Sequence, residues 1–245
     1  MARLTRHELK EHSFQTAYEE YEHFAREHYR EISAIVGAVL VIVGLVLGLR
    51  YLMNQQEAAA NAQLGDALET FHAYVGTPAP GTLGPDAKTF STAKEKYTKA
   101  LSQFSAMTNV SGFQKLLPQQ KAVRIARYHV GLCQAELGDE AGAIKTLNQV
   151  VDDRDPDIAS LARFALAEQL VKTGKTSDGV KIFQNLVDHP TTAVPKATAQ
   201  FALANALRDT QPAVARHIYE GMERDYAAEA DVVESVKQQI ASLPR

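Results

Sequence analysis

The segment Ile32–Leu49 reads ISAIVGAVLVIVGLVLGL and carries no charge, and Tyr51, Leu52 and Met53 prolong it past Arg50. A helix rises about 1.5 Å per residue, so roughly 20 apolar residues cross the ~30 Å hydrocarbon core of a bilayer. Glu31 and Arg50 bracket the run, and Tyr29 and Tyr51 stand at its interfacial ends. An arginine at that position can snorkel its guanidinium to the head groups. The run is longer than a signal-peptide core and ends well before the small-residue site Ala60-Asn61-Ala62. A retained transmembrane helix over residues 32–53 is therefore expected.

Basic residues set the expected orientation. Arg3, Arg6, Lys10, Arg26 and Arg30 precede the run, whereas after Arg50 the next basic residue is Lys88. The N-terminus is thus expected in the cytoplasm. In a bacterium, residues from 54 onward would then lie in the periplasm, tethered to the inner membrane by a single pass. Residues 1–31 read as a cytoplasmic amphipathic helix. Thr5 and Glu8 form a capping box, and Phe14, Tyr18, Tyr21, Ala25 and His28 recur at helical spacing.

Past the anchor, Gln55–Val75 keeps a helical pattern until GTPAPGTLGP (76–85), whose Gly and Pro residues make a loop. Thr92 and Glu95 form a second capping box, followed by the apolar stripe Tyr97, Ala100, Leu101 and Phe104, and Asn109–Gly112 interrupts the pattern again. Residues 54–119 are accordingly expected to be a degenerate first helical hairpin. The absence of Trp and an aromatic content of 7% disfavour strands, so the expected class is all-α.

Residues 120–245 repeat themselves. ARYHVGLCQAELGDEAGAIKTLNQVVD (126–152) aligns without gaps on ARFALAEQLVKTGKTSDGVKIFQNLVD (162–188), a shift of 36 residues. Tyr128 matches Phe164, Gly138 matches Gly174, Ala143 matches Gly179 and Leu147 matches Phe183. A third, looser copy begins at Ala199-Gln200-Phe201. A period in the mid-thirties means stacked helical hairpins. Gly138 and Gly174 suit the left-handed residue that ends a helix. Asp139 and Ser177 are expected to cap the helices that follow, and Pro156 and Pro212 fit a first helical position. Ala143 and Gly179 are small where two helices cross. Leu147, Val150, Phe183 and Leu186 are expected to fill the space between hairpins.

In these residues the sequence resembles the tetratricopeptide repeat. Counted from the small residue Gly131, positions Ala143, Leu147 and Val150 fall at the family's spacing, and Ala167, Gly179, Phe183 and Leu186 repeat it. The sequence departs from the family in lacking Trp, in placing Gln134 where the family has Tyr, and in setting Pro156 one place late. The resemblance implies a TPR-like helical-hairpin solenoid over roughly residues 120–225 that binds proteins. The wider layout, an opening RLTRHELKE, one span and a TPR-like domain, is similar to the YfgM-type ancillary subunits of the SecYEG translocon. That likeness implies contact with SecYEG at the membrane end, and with periplasmic chaperones or clients through the repeats. Accessory subunits of respiratory or photosynthetic complexes use the same parts.

Signatures of catalysis are missing. Cys133, the one cysteine, lies in an apolar helical stripe and is expected to be buried packing. His7 and His12, like His23 and His28, stand five apart, about 140° around a helix, which suits no shared metal. No GxGxxG, Walker lysine loop, GxSxG or HExxH is present. The acidic run 152–157 lacks the glycine and closing glutamate of a calcium loop. A net charge of −3 argues against general nucleic-acid binding. The expectation is therefore a non-enzyme with no catalytic residues, metal, cofactor or small-molecule substrate. Protein partners would sit on the concave face lined by the first helix of each hairpin, where Arg127, Gln134, Arg163 and Gln200 are the candidate contacts.

Overall fold

The computed structural model describes residues 28–77, 84, 87–109 and 121–243. The amphipathic segment with the Thr5–Glu8 box lies outside them. Two compact units are distinguished, Met1–Gln56 and Glu57–Arg245.

Helix α1 spans Tyr29–His72. Its apolar window has a mean hydropathy of 2.8 and no buried share, so it is long and apolar enough to cross a membrane. Membrane anchors and signal sequences share that property. Ile35, Leu40, Val41 and Leu45 are all more than half exposed, so among the described residues nothing covers this apolar face. No Pro separates the apolar run from Gln55, and the two expected helices are one continuous element. The far end differs from expectation: Tyr74–Val75 forms strand β1, paired in parallel with β2 (Thr89–Phe90). Gly76 takes φ 96° and its N–H donates to the Phe90 carbonyl at 2.8 Å. A left-handed glycine suits the turn that follows β1, and its N–H finds a cross-strand partner.

In the second unit, the end of α1 packs on α2 (Ala93–Thr108), where Leu64, Ala67 and Phe71 meet Ala100, Phe104 and Met107. Thr92 caps α2 by accepting from the Glu95 N–H at 3.1 Å, and Glu95 reaches back to the Ser91 N–H at 3.3 Å. The capping box thus closes one residue earlier than its usual form.

Three hairpins follow: α3 (Lys121–Glu136) with α4 (Glu140–Asn148), α5 (Pro156–Lys172) with α6 (Thr176–Asp188), and α7 (Lys196–Leu207) with α8 (Pro212–Asp225). Helix α9 (Ala230–Ser242) packs on α8. The first two turns are built alike. Gly138 and Gly174 both have φ 82°. Behind them the N–H groups of Asp139 and Lys175 donate to the Gln134 and Leu170 carbonyls at 2.9 and 2.8 Å. These are Schellman closures, which satisfy orphan carbonyls and fix the direction of the next helix. Asp139 then caps α4 by accepting from the Gly142 N–H at 2.9 Å.

Ser177 does not cap α6; Lys175 holds that position without a side-chain bond, and Ser177 lies inside the first turn. The Schellman turn sets the cap one residue after the glycine, so Lys175 is the counterpart of Asp139. Pro156 and Pro212 open α5 and α8 as expected, and Asp155 caps α5 by accepting from the Asp157 N–H at 3.1 Å.

Small residues let the paired helices touch. A Cβ on Gly131 would stand 2.8 Å from Leu147 Cδ2, and one on Gly179 would stand 2.8 Å from the Ala167 carbonyl oxygen. Ala143, Ala167 and Leu147 have no exposure, and Phe183, Leu186 and Val150 are at most 2% exposed. Each large side chain so buried contributes about 1.5–3 kcal/mol. The first helices of the hairpins carry Ala122, Ala126, Ala162, Ala165, Ala199 and Ala204, all buried, so they pack on neighbours from more than one side. The fold is all-helical apart from the β1–β2 pair, a long apolar helix followed by packed helix pairs of tetratricopeptide type.

Candidate functional site

The second and third hairpins and α9 enclose a groove of about 760 Å³. Its apolar surface comes from Phe164 and Val171 of α5, Phe183 of α6, Phe201 of α7, Met222 of α8 and Val232 of α9. Helices α5 and α7 occupy equivalent places in successive units, so Phe164 and Phe201 present rings at corresponding positions. Each ring is held edge-on by the second helix of its own hairpin: Phe164 on Phe183 at 5.4 Å, Phe201 on Tyr219 at 5.7 Å. Edge-to-face pairs at this separation fix ring orientation as well as adding contact energy.

Polar groups border this surface. Asn205 lines the groove, and its Oδ1 accepts from the Tyr219 hydroxyl at 2.7 Å. Tyr219 is fully buried, and desolvation pushes its phenol up to about 12, against the opposing pull of Arg208. Solvent reaches Glu168 from the open side of the groove, while the apolar walls desolvate its carboxyl and raise its pKa. Lys172 is turned toward Glu140 of α4, at 3.6 Å.

The four residues expected as partner contacts lie outside this groove. Arg163 pairs with Asp152 at 3.6 Å, the side-chain Oε1 of Gln134 accepts from the Thr146 hydroxyl at 2.7 Å, and Oε1 of Gln200 accepts from the Tyr226 hydroxyl at 3.2 Å. Arg127 is half-buried on α3. None of the four lines the groove. Arg163 and Gln200 each precede a groove aromatic by one residue, a rotation of about 100° on a helix, which turns them off the groove. The signal for the aromatic positions was present, since Tyr128, Phe164 and Phe201 align in the repeat.

A second cluster joins the end of α1 and α2 to α3. The His129 imidazole stacks on Phe104 at 4.9 Å and meets Phe71 edge-on at 5.3 Å, while its Nδ1 lies 2.9 Å from the Ile125 carbonyl. That carbonyl only accepts, so Nδ1 carries the proton and donates. Desolvation lowers the pKa of His129 below 6.5; the bond to Ile125 opposes this, and His72 reinforces it. A depressed folded pKa means stability that is present above 6.5 and lost as pH falls through the folded value. The His129 ring is accordingly expected to titrate below 6.5 by NMR, and His129→Phe to flatten the loss of stability under acid. A midpoint at or above 6.5 would contradict this environment. Cys133 in the same cluster is fully buried, and desolvation pushes its thiol up to about 12, as befits a packing residue.

Residues 126–157 match the tetratricopeptide repeat model. No curated protein and no solved structure matches the chain. The matched stretch runs from Ala126 of α3 through α4 to the start of α5. It contains Gly131 and Leu147, which touch where the two helices cross. The α5–α6 hairpin repeats that architecture outside the match, down to the paired glycines of its turn. Tetratricopeptide repeats as a class are protein-interaction modules, and stacked hairpins present extended surfaces suited to that role.

Proposed function

We propose that the chain is a non-catalytic, membrane-anchored scaffold whose hairpin unit captures protein partners on the extracytoplasmic side. The groove between α5, α7 and α9 carries this reading, because Phe164 and Phe201 line it and are only partly buried by the hairpins. Anchoring is supported by the unburied apolar window of α1, and a cytoplasmic N-terminus with a periplasmic hairpin unit by the excess of Arg and Lys before that window. On this reading the scaffold links the Sec translocon of the bacterial inner membrane to periplasmic chaperones or their clients. The support for that step is the layout of the chain, from RLTRHELKE through one span to repeats.

The test is mild-detergent purification of the tagged chain from native membranes, with chemical crosslinking and mass spectrometry of what accompanies it. SecY, SecE or SecG is expected to crosslink near residues 1–53, and periplasmic chaperones near the groove. Recovery of a cofactor-bearing respiratory or photosynthetic complex at fixed stoichiometry would overturn the Sec assignment and make the chain an accessory subunit of that complex.

A further inference from the structure

The groove also carries information about the charge of its occupant. Glu168 of α5 and Asp231 of α9 both line it, contributed by the elements before and after α7. Neither carboxylate has a cationic partner among the described residues, and the basic residue of the lining, Lys172, faces Glu140. Glu168 therefore has no internal charge to offset the apolar walls, in keeping with desolvation as the sole cause of its raised pKa. The remaining surface is aromatic and aliphatic, with Phe164, Phe201 and Val232 open to an occupant.

We propose, resting on the scaffold reading above, that the groove takes a cationic amphipathic protein segment, apolar side chains on Phe164 and Phe201 and Lys or Arg against Glu168 and Asp231. The apolar contacts supply affinity. The carboxylates supply selection, because a charge-assisted bond to a carboxylate rewards a cation, and an acidic segment leaves like charges face to face.

The test uses the full chain in nanodiscs of zwitterionic lipid and two fluorescein-labelled amphipathic peptides with the same Leu and Phe pattern. One peptide carries Lys at every polar position and the other Glu. Fluorescence anisotropy is expected to show the Lys peptide binding at least about tenfold more tightly, with affinity falling as salt rises. Glu168→Gln with Asp231→Asn should abolish the preference while the apolar contacts keep both peptides bound. Thr198→Arg, which puts a cation and bulk into the groove lining, should weaken the Lys peptide most. Equal affinities in the parent chain, or a preference surviving the double variant, would overturn the charge assignment and leave the scaffold reading standing. Lys-peptide binding untouched by Thr198→Arg would place the peptide on lipid or elsewhere on the chain, and would likewise overturn it. Loss of groove crosslinks in native membranes is the separate result that removes the scaffold reading.

Discussion

Arg124→Ala is expected to cost the hairpin unit about 3–5 kcal/mol. The Arg124 guanidinium meets Asp153 at 2.6 Å, and the two side chains are only 11% and 9% exposed. Asp153 Oδ1 also accepts from the Asp155 N–H at 2.8 Å, and Asp155 in turn caps α5 while pairing with Lys121 at 2.8 Å. One buried pair thus ties α3 to the turn that starts the next hairpin. Removing the arginine strands a carboxylate with little water around it, and the penalty is that uncompensated charge rather than the worth of the pair. Removing the charge as well should recover most of the loss. Arg124→Met with Asp153→Asn keeps an acceptor for the Asp155 N–H and is expected to lie well above the single variant. Thermal unfolding followed by circular dichroism reads the comparison, with Tm falling on the order of 10 °C for Arg124→Ala. A single variant no less stable than the double one would contradict this account of the pair.

The second large effect belongs to Tyr219. Its side chain is fully buried against Phe201, and its hydroxyl donates to Asn205. Tyr219→Ala leaves a cavity the size of the ring and is expected to cost about 3–5 kcal/mol. Tyr219→Phe loses one hydrogen bond, about 1 kcal/mol, and exposed Asn205 can turn to water instead. Stacked repeats contact mainly their neighbours, so the alanine variant should act locally. Hydrogen exchange is expected to show protection lost in α7, α8 and α9 and retained in α3 through α6. Uniform loss across all hairpins would show instead that the unit folds as one cooperative block.

What the sequence disclosed and what it withheld divide along physical lines. The hairpins were legible because local chemistry writes them. Gly138 and Gly174 supply a backbone conformation other residues resist, Pro156 and Pro212 start helices at no hydrogen-bond cost, and Gly131 and Gly179 mark helix crossings. The β1–β2 pair was not legible, since Tyr74 and Val75 continue a helical pattern and their partners Thr89 and Phe90 lie across a loop. Ser177 misled because a good capping residue two places from the true cap is chemically indistinguishable in sequence. The groove was half legible. Its aromatic positions recur with the repeat, but its outer wall is α9, which belongs to no repeat and whose placement no periodicity encodes. Gln134 and Gln200 spend their side-chain oxygens inside the unit, accepting from Thr146 and Tyr226, which sequence spacing does not reveal.

The central claim is that the face containing Phe164 and Phe201 is where partners bind, and site-specific photocrosslinking tests it most directly. A photoreactive amino acid at Thr198, in the groove lining, is compared in living cells with one at Lys181, an exposed position of α6 outside it. The account predicts discrete protein adducts from position 198, lost when Phe201→Glu is added, and none of those adducts from position 181. Adducts from position 181 with none from position 198 would move the binding surface to the opposite helices and contradict the account.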